Sequence, residues 1–277
     1  MSEIKYRYLV GSDLDGTLLL KGEIISEENQ AAIREMRDRG VCFVPNSGRS
    51  FGEMPKSVIE NPYIRYYIGA DGASIWDKET GEKLSFTMSR EVARPMLDII
   101  YSYTQHINVR YRGVCYADSR KCGDGEYKKY RLSKNYADFT DYYIRKVENF
   151  DEFIYGLDEI EMICIFFSDD REMAECKERI EALGEFVVAS SEPTNIEVFH
   201  KSAGKGNALL ALADRLGVPY ERTIAVGDGK NDMDMIQKAG ISLAMGNALD
   251  ELKAAADRTI CNCEEHSAKY ILENIIE

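Results

Sequence analysis

The run Tyr6-Arg7-Tyr8-Leu9-Val10-Gly11 leads directly into Ser12-Asp13-Leu14-Asp15-Gly16-Thr17-Leu18. The first part is apolar and rich in strand formers, and the second is a polar cluster with two carboxylates two positions apart. At a strand end, carboxylates so spaced can converge on one cation, one through its side chain and the other through its backbone carbonyl. A carboxylate beside such a cation stays ionised and can attack phosphorus. Its neighbour can protonate a leaving oxygen and later deprotonate water. The plainer alternative is an Asp-rich turn that caps a helix.

Outward from this stretch, strand and helix signals alternate. Ser26 predicts an N-cap, with Glu27 and Glu28 in the first turn, Ala32, Ile33 and Met36 on one face and Gly40 as the stop. Val41 to Val44 predicts the next strand, ending at Pro45-Asn46-Ser47-Gly48-Arg49. The last third repeats the grammar: a helix over 205–216, a strand over 223–226, a helix over 231–239, a strand over 241–244, and helices over 249–256 and 267–276. Such spacing predicts an α/β fold with a doubly wound, Rossmann-like parallel sheet. From about Glu82 to Asn195 the pattern changes to strand, helix, several short strands, helix, strand. Its helices are expected over 90–103 and 171–183, and two of its strands over 161–167 and 186–189. Ten of the 17 tyrosines lie between Tyr101 and Tyr155. The expected organisation is a core of residues 1–82 and 196–277, with an α+β domain of residues 83–195 inserted into it.

The chain has 277 residues, enough to bury a core without staples. Its net charge of −13 opposes nucleic acid and anionic membrane as partners, and makes an anionic substrate awkward unless a cation neutralises the site locally. The longest apolar run, Met162 to Phe167, is far too short to span a bilayer. The first nine residues carry Glu3, Lys5 and Arg7 and do not read as a signal peptide. Seven cysteines without secretory context suggest free thiols and a cytoplasmic protein. Cys261 and Cys263 read as alternation on one strand, not as a metal pair. His106, His200 and His266 are dispersed and read as surface or loop residues. Trp76 reads as packing in a strand, and the tyrosines of the insert as core and sheet-face residues.

Three further polar segments each follow a predicted strand or open a helix. In an open parallel sheet, ligands sit beyond the carboxyl ends of the strands, so these segments are candidates for one shared site. Ser47-Gly48-Arg49 offers a hydroxyl and backbone N–H groups as a phosphate cradle, although Ser-Gly is also ordinary turn chemistry and Arg49 can equally be a surface ion pair. Lys205-Gly206 puts a cation at a helix start, where the dipole disfavours it, which suggests that it reaches something anionic. Gly227-Asp228-Gly229-Lys230-Asn231-Asp232 gathers oxygen donors on one turn, a set that suits Mg²⁺ and not zinc.

Asp13 to Leu18, Ser47, Lys205 and Gly227 to Asp232, in that order, resemble the four motifs of the haloacid-dehalogenase-like hydrolases. Ala244-Met245-Gly246-Asn247-Ala248, with Lys253 and Asp257 after it, looks like the Cof-like subfamily of sugar-phosphate phosphatases. The insert matches that subfamily's C2B cap in length and position only. The resemblance implies that Asp13 is the nucleophile, forming an aspartyl-phosphate, and Asp15 the general acid and base. It implies that Ser47, Gly48, Lys205 and Asn231 hold the phosphoryl group. Mg²⁺ would be held by Asp13, the carbonyl of Asp15 and Asp228, with Asp232 and Asn231 in the same shell or just outside it. The implied partner is a small phosphorylated metabolite, with neither nucleic acid nor membrane; with no strong coiled-coil pattern or exposed stripe in the sequence, a monomer is the default expectation. Asp71, Arg49 and His200 are candidates on the substrate side.

The chain departs from the family pattern at three places. Ser47 stands where relatives commonly have Thr, and it keeps the hydroxyl. Ala70-Asp71-Gly72-Ala73 stands where they usually show Asn-Gly-Ala; Asp71 adds a charge that favours hydroxyl- or amine-bearing substrates, or only caps a turn. Glu264-Glu265-His266-Ser267 replaces the usual Glu-Asp-Gly-Val. Two rivals to a phosphatase follow: a phosphomannomutase-like mutase, and a silent binding protein on the same scaffold. The presence of both Asp13 and Asp15 weighs against the second.

Overall fold

The computed structural model describes residues 6–21 and 23–277. They form two compact units, one running up to Leu84 and resuming at Gly204, the other spanning Ser85–Ala203.

The first unit is built on a five-stranded sheet in the order Arg258–Thr259, Ile241–Ala244, Thr223–Gly227, Tyr8–Ser12, Val41–Pro45, with every neighbouring pair parallel. The three strands at the Val41–Pro45 side are buried along their whole length, as a sheet covered on both faces requires. Helix Glu27–Asp38 starts as its sequence dictates: the Ser26 hydroxyl accepts the Asn29 N–H, and Ala32, Ile33 and Met36 are buried. It packs on the last helix, Ser267–Asn274, while Lys205–Leu216 packs on Met233–Lys238. The latter helix is shorter than 231–239, because Lys230–Asp232 forms a separate 3-10 turn. A hairpin, Tyr66–Gly69 with Ser74–Asp77, carries Trp76, whose ring stacks on Phe51 at 5.3 Å.

The second unit holds a six-stranded sheet in the order Arg145–Val147, Val114–Asp118, Gln105–Tyr111, Met162–Phe167, Asn195–His200, Phe186–Ala189. Its central pairs are antiparallel. Helices Arg90–Ile100, Phe150–Gly156 and Asp170–Glu181 cover one face, through a cluster that includes Leu97, Val109, Ile154, Ile163, Ile180 and Val198. Alternation sends His106, Asn108 and Cys164 to the other face. There Tyr130, Leu132 and Tyr136, from the segment containing helices Asp124–Lys129 and Lys134–Tyr143, pack on Cys164 and Phe166.

Several expectations are corrected. Asn195–His200 pairs with Met162–Phe167, so the inserted unit extends to Ala203 instead of ending at 195. The region read as short strands contains the helices Asp124–Lys129, Lys134–Tyr143 and Phe150–Gly156. His106 is neither surface nor loop: it is wholly buried on strand Gln105–Tyr111. Cys261 and Cys263 do not alternate on a strand, since Cys263 opens a 3-10 turn; all seven cysteines are free thiols. Among the described residues no helix is long and apolar enough to cross a membrane.

Candidate active site

Parallel strands end on one side of a sheet, and that is where the motif residues of the first unit gather. Asp13 follows strand Tyr8–Ser12, its N–H donating to the Val226 carbonyl at 2.9 Å. The chain then turns on Leu14, whose carbonyl accepts from the N–H groups of Leu18 and Leu19 at 3.0 and 2.9 Å. Gly16 sits in this turn at φ +82°, and a Cβ there would lie 2.4 Å from Asp228 Oδ2, so both conformation and space demand glycine. The Thr17 hydroxyl donates to Asp228 Oδ1 at 2.8 Å. Asn247 secures the same turn, donating to the Gly16 carbonyl at 2.8 Å and accepting the Cys263 N–H at 2.9 Å. Thr17 and Asn247 had no assigned role from sequence, although both lie within the quoted motifs.

Lys205 is the electrostatic centre. Its side chain is 0% exposed, and Nζ donates to Asp13 Oδ1 at 2.7 Å and to Asp232 Oδ1 at 2.6 Å. The other Asp232 oxygen accepts the N–H groups of Asp228 and Gly229, each at 2.9 Å. Asn46 ties the second strand to this group by donating to the Lys205 carbonyl at 2.9 Å.

Asp13, Asp228 and Asp232 bring carboxylate oxygens within 4.8 Å of one another. Burial and the Asp232 charge push the Asp13 carboxyl well above its usual range, against the pull of Lys205. Burial raises Asp228 to about 6, with the Thr17 hydrogen bond opposing it. Burial alone would lower the Lys205 ammonium, but Asp13, Asp232 and Asp71 outweigh that and hold it protonated. Three clustered carboxylates against one ammonium leave unneutralised negative charge in a mostly buried site. A hard divalent cation with oxygen ligands answers that imbalance, so the residues present fit Mg²⁺.

Asp15 stands apart from the cluster. Its carboxylate is half exposed and lies in the fork of Arg49, whose Nη2 and Nε donate to its two oxygens at 2.7 and 2.9 Å. Arg49 therefore makes an ion pair. Ser47 is buried, its hydroxyl accepting the Arg49 N–H at 3.2 Å, and Gly48 follows it. Asn231 Nδ2 donates to Asp71 Oδ1 at 3.2 Å, and Asp71 is itself buried. His200 belongs to the second unit, where its Nδ1 lies 2.6 Å from the Ser202 hydroxyl. Asp257 accepts both the N–H and the hydroxyl of Ser242, which makes it a structural tie between a strand and a turn.

A family model described as haloacid dehalogenase-like hydrolase matches residues 10–272. Phosphatase YwpJ of Bacillus subtilis (strain 168) is 29% identical over 284 residues, covering 97% of this chain and 99% of its own. The 5-amino-6-(5-phospho-D-ribitylamino)uracil phosphatase YcsE of the same organism is 32% identical over 266 residues, covering 95% and 94%. The solved structure of a haloacid dehalogenase-like hydrolase from B. subtilis matches with a TM-score of 0.82 at 27% identity, over 97% of this chain and 100% of that one.

Proposed function

The chain belongs to the haloacid dehalogenase-like hydrolase family and is a phosphatase, and from that premise we propose that it hydrolyses small phosphate monoesters, sugar and polyol phosphates foremost, with Mg²⁺ and through an aspartyl-phosphate on Asp13. The observation that carries this reading is the wholly buried Lys205 ammonium bridging Asp13 and Asp232 beside Asp228. Asp13, Asp228 and Asp232 are the side chains that would hold Mg²⁺, and the Asp15 carbonyl is the further ligand that the family resemblance implies. Bound there, the ion would supply positive charge to the phosphoryl oxygens. Lys205, the Ser47 hydroxyl and the Gly48 backbone hold the remaining oxygens.

An Asp13 oxygen attacks phosphorus and the bond from phosphorus to the ester oxygen breaks. Asp15 gives its proton to that oxygen, and the alcohol leaves. Water then loses a proton to Asp15 and attacks phosphorus, and the bond to Asp13 breaks, freeing inorganic phosphate. Asp15 must leave at least part of the Arg49 fork to take this role. The relative named for a phosphorylated ribityl chain supports polyol and sugar phosphates as the first esters to try.

The test is phosphate release from a panel of sugar, polyol, nucleotide and cofactor monoesters, with Mg²⁺ and with EDTA. Release with Mg²⁺ is expected to fall by about three orders of magnitude or more in EDTA and in Asp13→Asn. Turnover that survives either change contradicts the proposal.

A further inference from the structure

Asn46 follows strand Val41–Pro45 and precedes Ser47, and it is bonded to each of the other three motif segments. Its N–H donates to the carbonyl of Ser12, the residue before Asp13, at 2.7 Å. Its side-chain Nδ2 donates to the Lys205 carbonyl at 2.9 Å and lies 3.6 Å from Sδ of Met235, in the helix that follows Asp232. The side chain is wholly buried, and its Oδ1 accepts no hydrogen bond among the described residues. A carbonyl only accepts, so the partner at 2.9 Å settles which end of the amide is nitrogen.

Burying an acceptor without a donor costs stability, and an alanine at this place would bury no such group. Packing therefore does not account for the amide, whereas its nitrogen is bonded to two other segments. The helix that carries Lys205 has no capping side chain of its own. Its N-cap is Gly204, at φ +124°. Two side chains from elsewhere hold its first turn: Asp234 accepts the Gly206 N–H at 2.8 Å, and Asn46 donates to the Lys205 carbonyl. Lysine has a long, flexible stem, so where its ammonium sits depends on the backbone it starts from. Through Ser12 and the Lys205 carbonyl, Asn46 sets that backbone relative to Asp13, whose Oδ1 meets Nζ at 2.7 Å.

We infer that Asn46 is a positioning residue for phosphoryl transfer: it fixes the backbone from which Lys205 reaches Asp13, and so places the ammonium that meets the phosphoryl oxygens. It acts through Lys205 and takes no part in bond making. The inference rests on the role proposed above for Lys205. Displacing a catalytic group by about 1 Å costs up to about a hundredfold in rate, so losing the tie shows in kcat more than in stability.

The experiment measures kcat and KM for the best ester of the panel, with Mg²⁺, in wild type, Asn46→Ala, Lys205→Arg and the double variant, with urea midpoints to verify folding. Asn46→Ala is expected to lower kcat about tenfold or more, with KM within about threefold of wild type. In the Lys205→Arg background the same substitution is expected to cost less than about threefold, because the ammonium that it positions is gone. A merely structural role would lower the urea midpoint and leave kcat of the folded enzyme at the wild-type value. A kcat of Asn46→Ala within about twofold of wild type, or an equal loss in both backgrounds, overturns the inference alone. So does an Asn46→Ala chain that does not fold, which would make Asn46 a structural tie. Where Lys205→Arg releases no phosphate, the comparison in the wild-type background decides. A wild type that hydrolyses no ester overturns the inference together with the proposed function.

Discussion

A lysine at the first position of a helix works against the helix dipole, and Lys205 occupies that position with its ammonium out of water. It is stable there because two carboxylates, from different strand ends, accept hydrogen bonds from it. This conflict between local preference and position was legible in the sequence; its resolution by Asp13 and Asp232 together was not, because they are far apart along the chain. His106 shows the reverse. A lone histidine among polar and aromatic residues carries no mark of burial, yet its ring lies between the Lys121 carbonyl and the Asn108 side chain at 3.1 Å each. Burial lowers it to about 4, against the two hydrogen bonds. Between pH 4 and about 6.5 the unfolded chain binds this proton and the folded one does not. Stability therefore rises with pH through that window, and on the order of 2–3 kcal/mol is lost as pH falls toward 4. His106→Gln is expected to flatten the pH dependence of the urea midpoint between pH 6.5 and 4.5. An unchanged slope would show that the ring does not titrate with unfolding.

Elements that follow strong periodicity were readable: helix Lys205–Leu216 and strands Ile241–Ala244 and Phe186–Ala189 fall where their patterns place them. Helix Lys134–Tyr143 was not. Its large apolar residues are the aromatics Tyr136, Phe139, Tyr142 and Tyr143, which favour strands, and packing against the sheet decides its state. Strand Asn195–His200 begins after Pro193 with alternating polar residues, so its partner, Met162–Phe167, could be found only in three dimensions. Among turns, close approach separates glycines that look alike in sequence. Gly72 and Gly184 both have positive φ, but a Cβ on Gly184 meets nothing within 4 Å, whereas Gly72 abuts the Gly204 carbonyl. Gly184→Ala is expected to destabilise by about 1–2 kcal/mol, the left-handed penalty alone. Gly72→Ala should exceed that by at least about 2 kcal/mol, since backbone must also shift. Equal denaturant midpoints for the two variants would contradict the approach described.

At the scale of the molecule, a chain of net charge −13 places a carboxylate cluster where a parallel sheet collects its loop residues. A cation bound there would offset the charge that otherwise repels a phosphate ester. The sheet brings together segments near residues 13, 47, 205 and 228, and the order of these motifs made the core readable from sequence. The second unit had no such motif, and its fold emerged from packing. The proposed reaction centres on a covalent bond between an Asp13 oxygen and phosphorus. The most direct measurement is to quench the Mg²⁺-loaded enzyme in acid during turnover, reduce any acyl phosphate with borohydride and locate the product by mass spectrometry. Homoserine at position 13, absent without substrate, is the predicted result. Homoserine at another aspartate, or none at any position while phosphate release proceeds under the same conditions and a known aspartyl-phosphate enzyme is labelled in parallel, would contradict it.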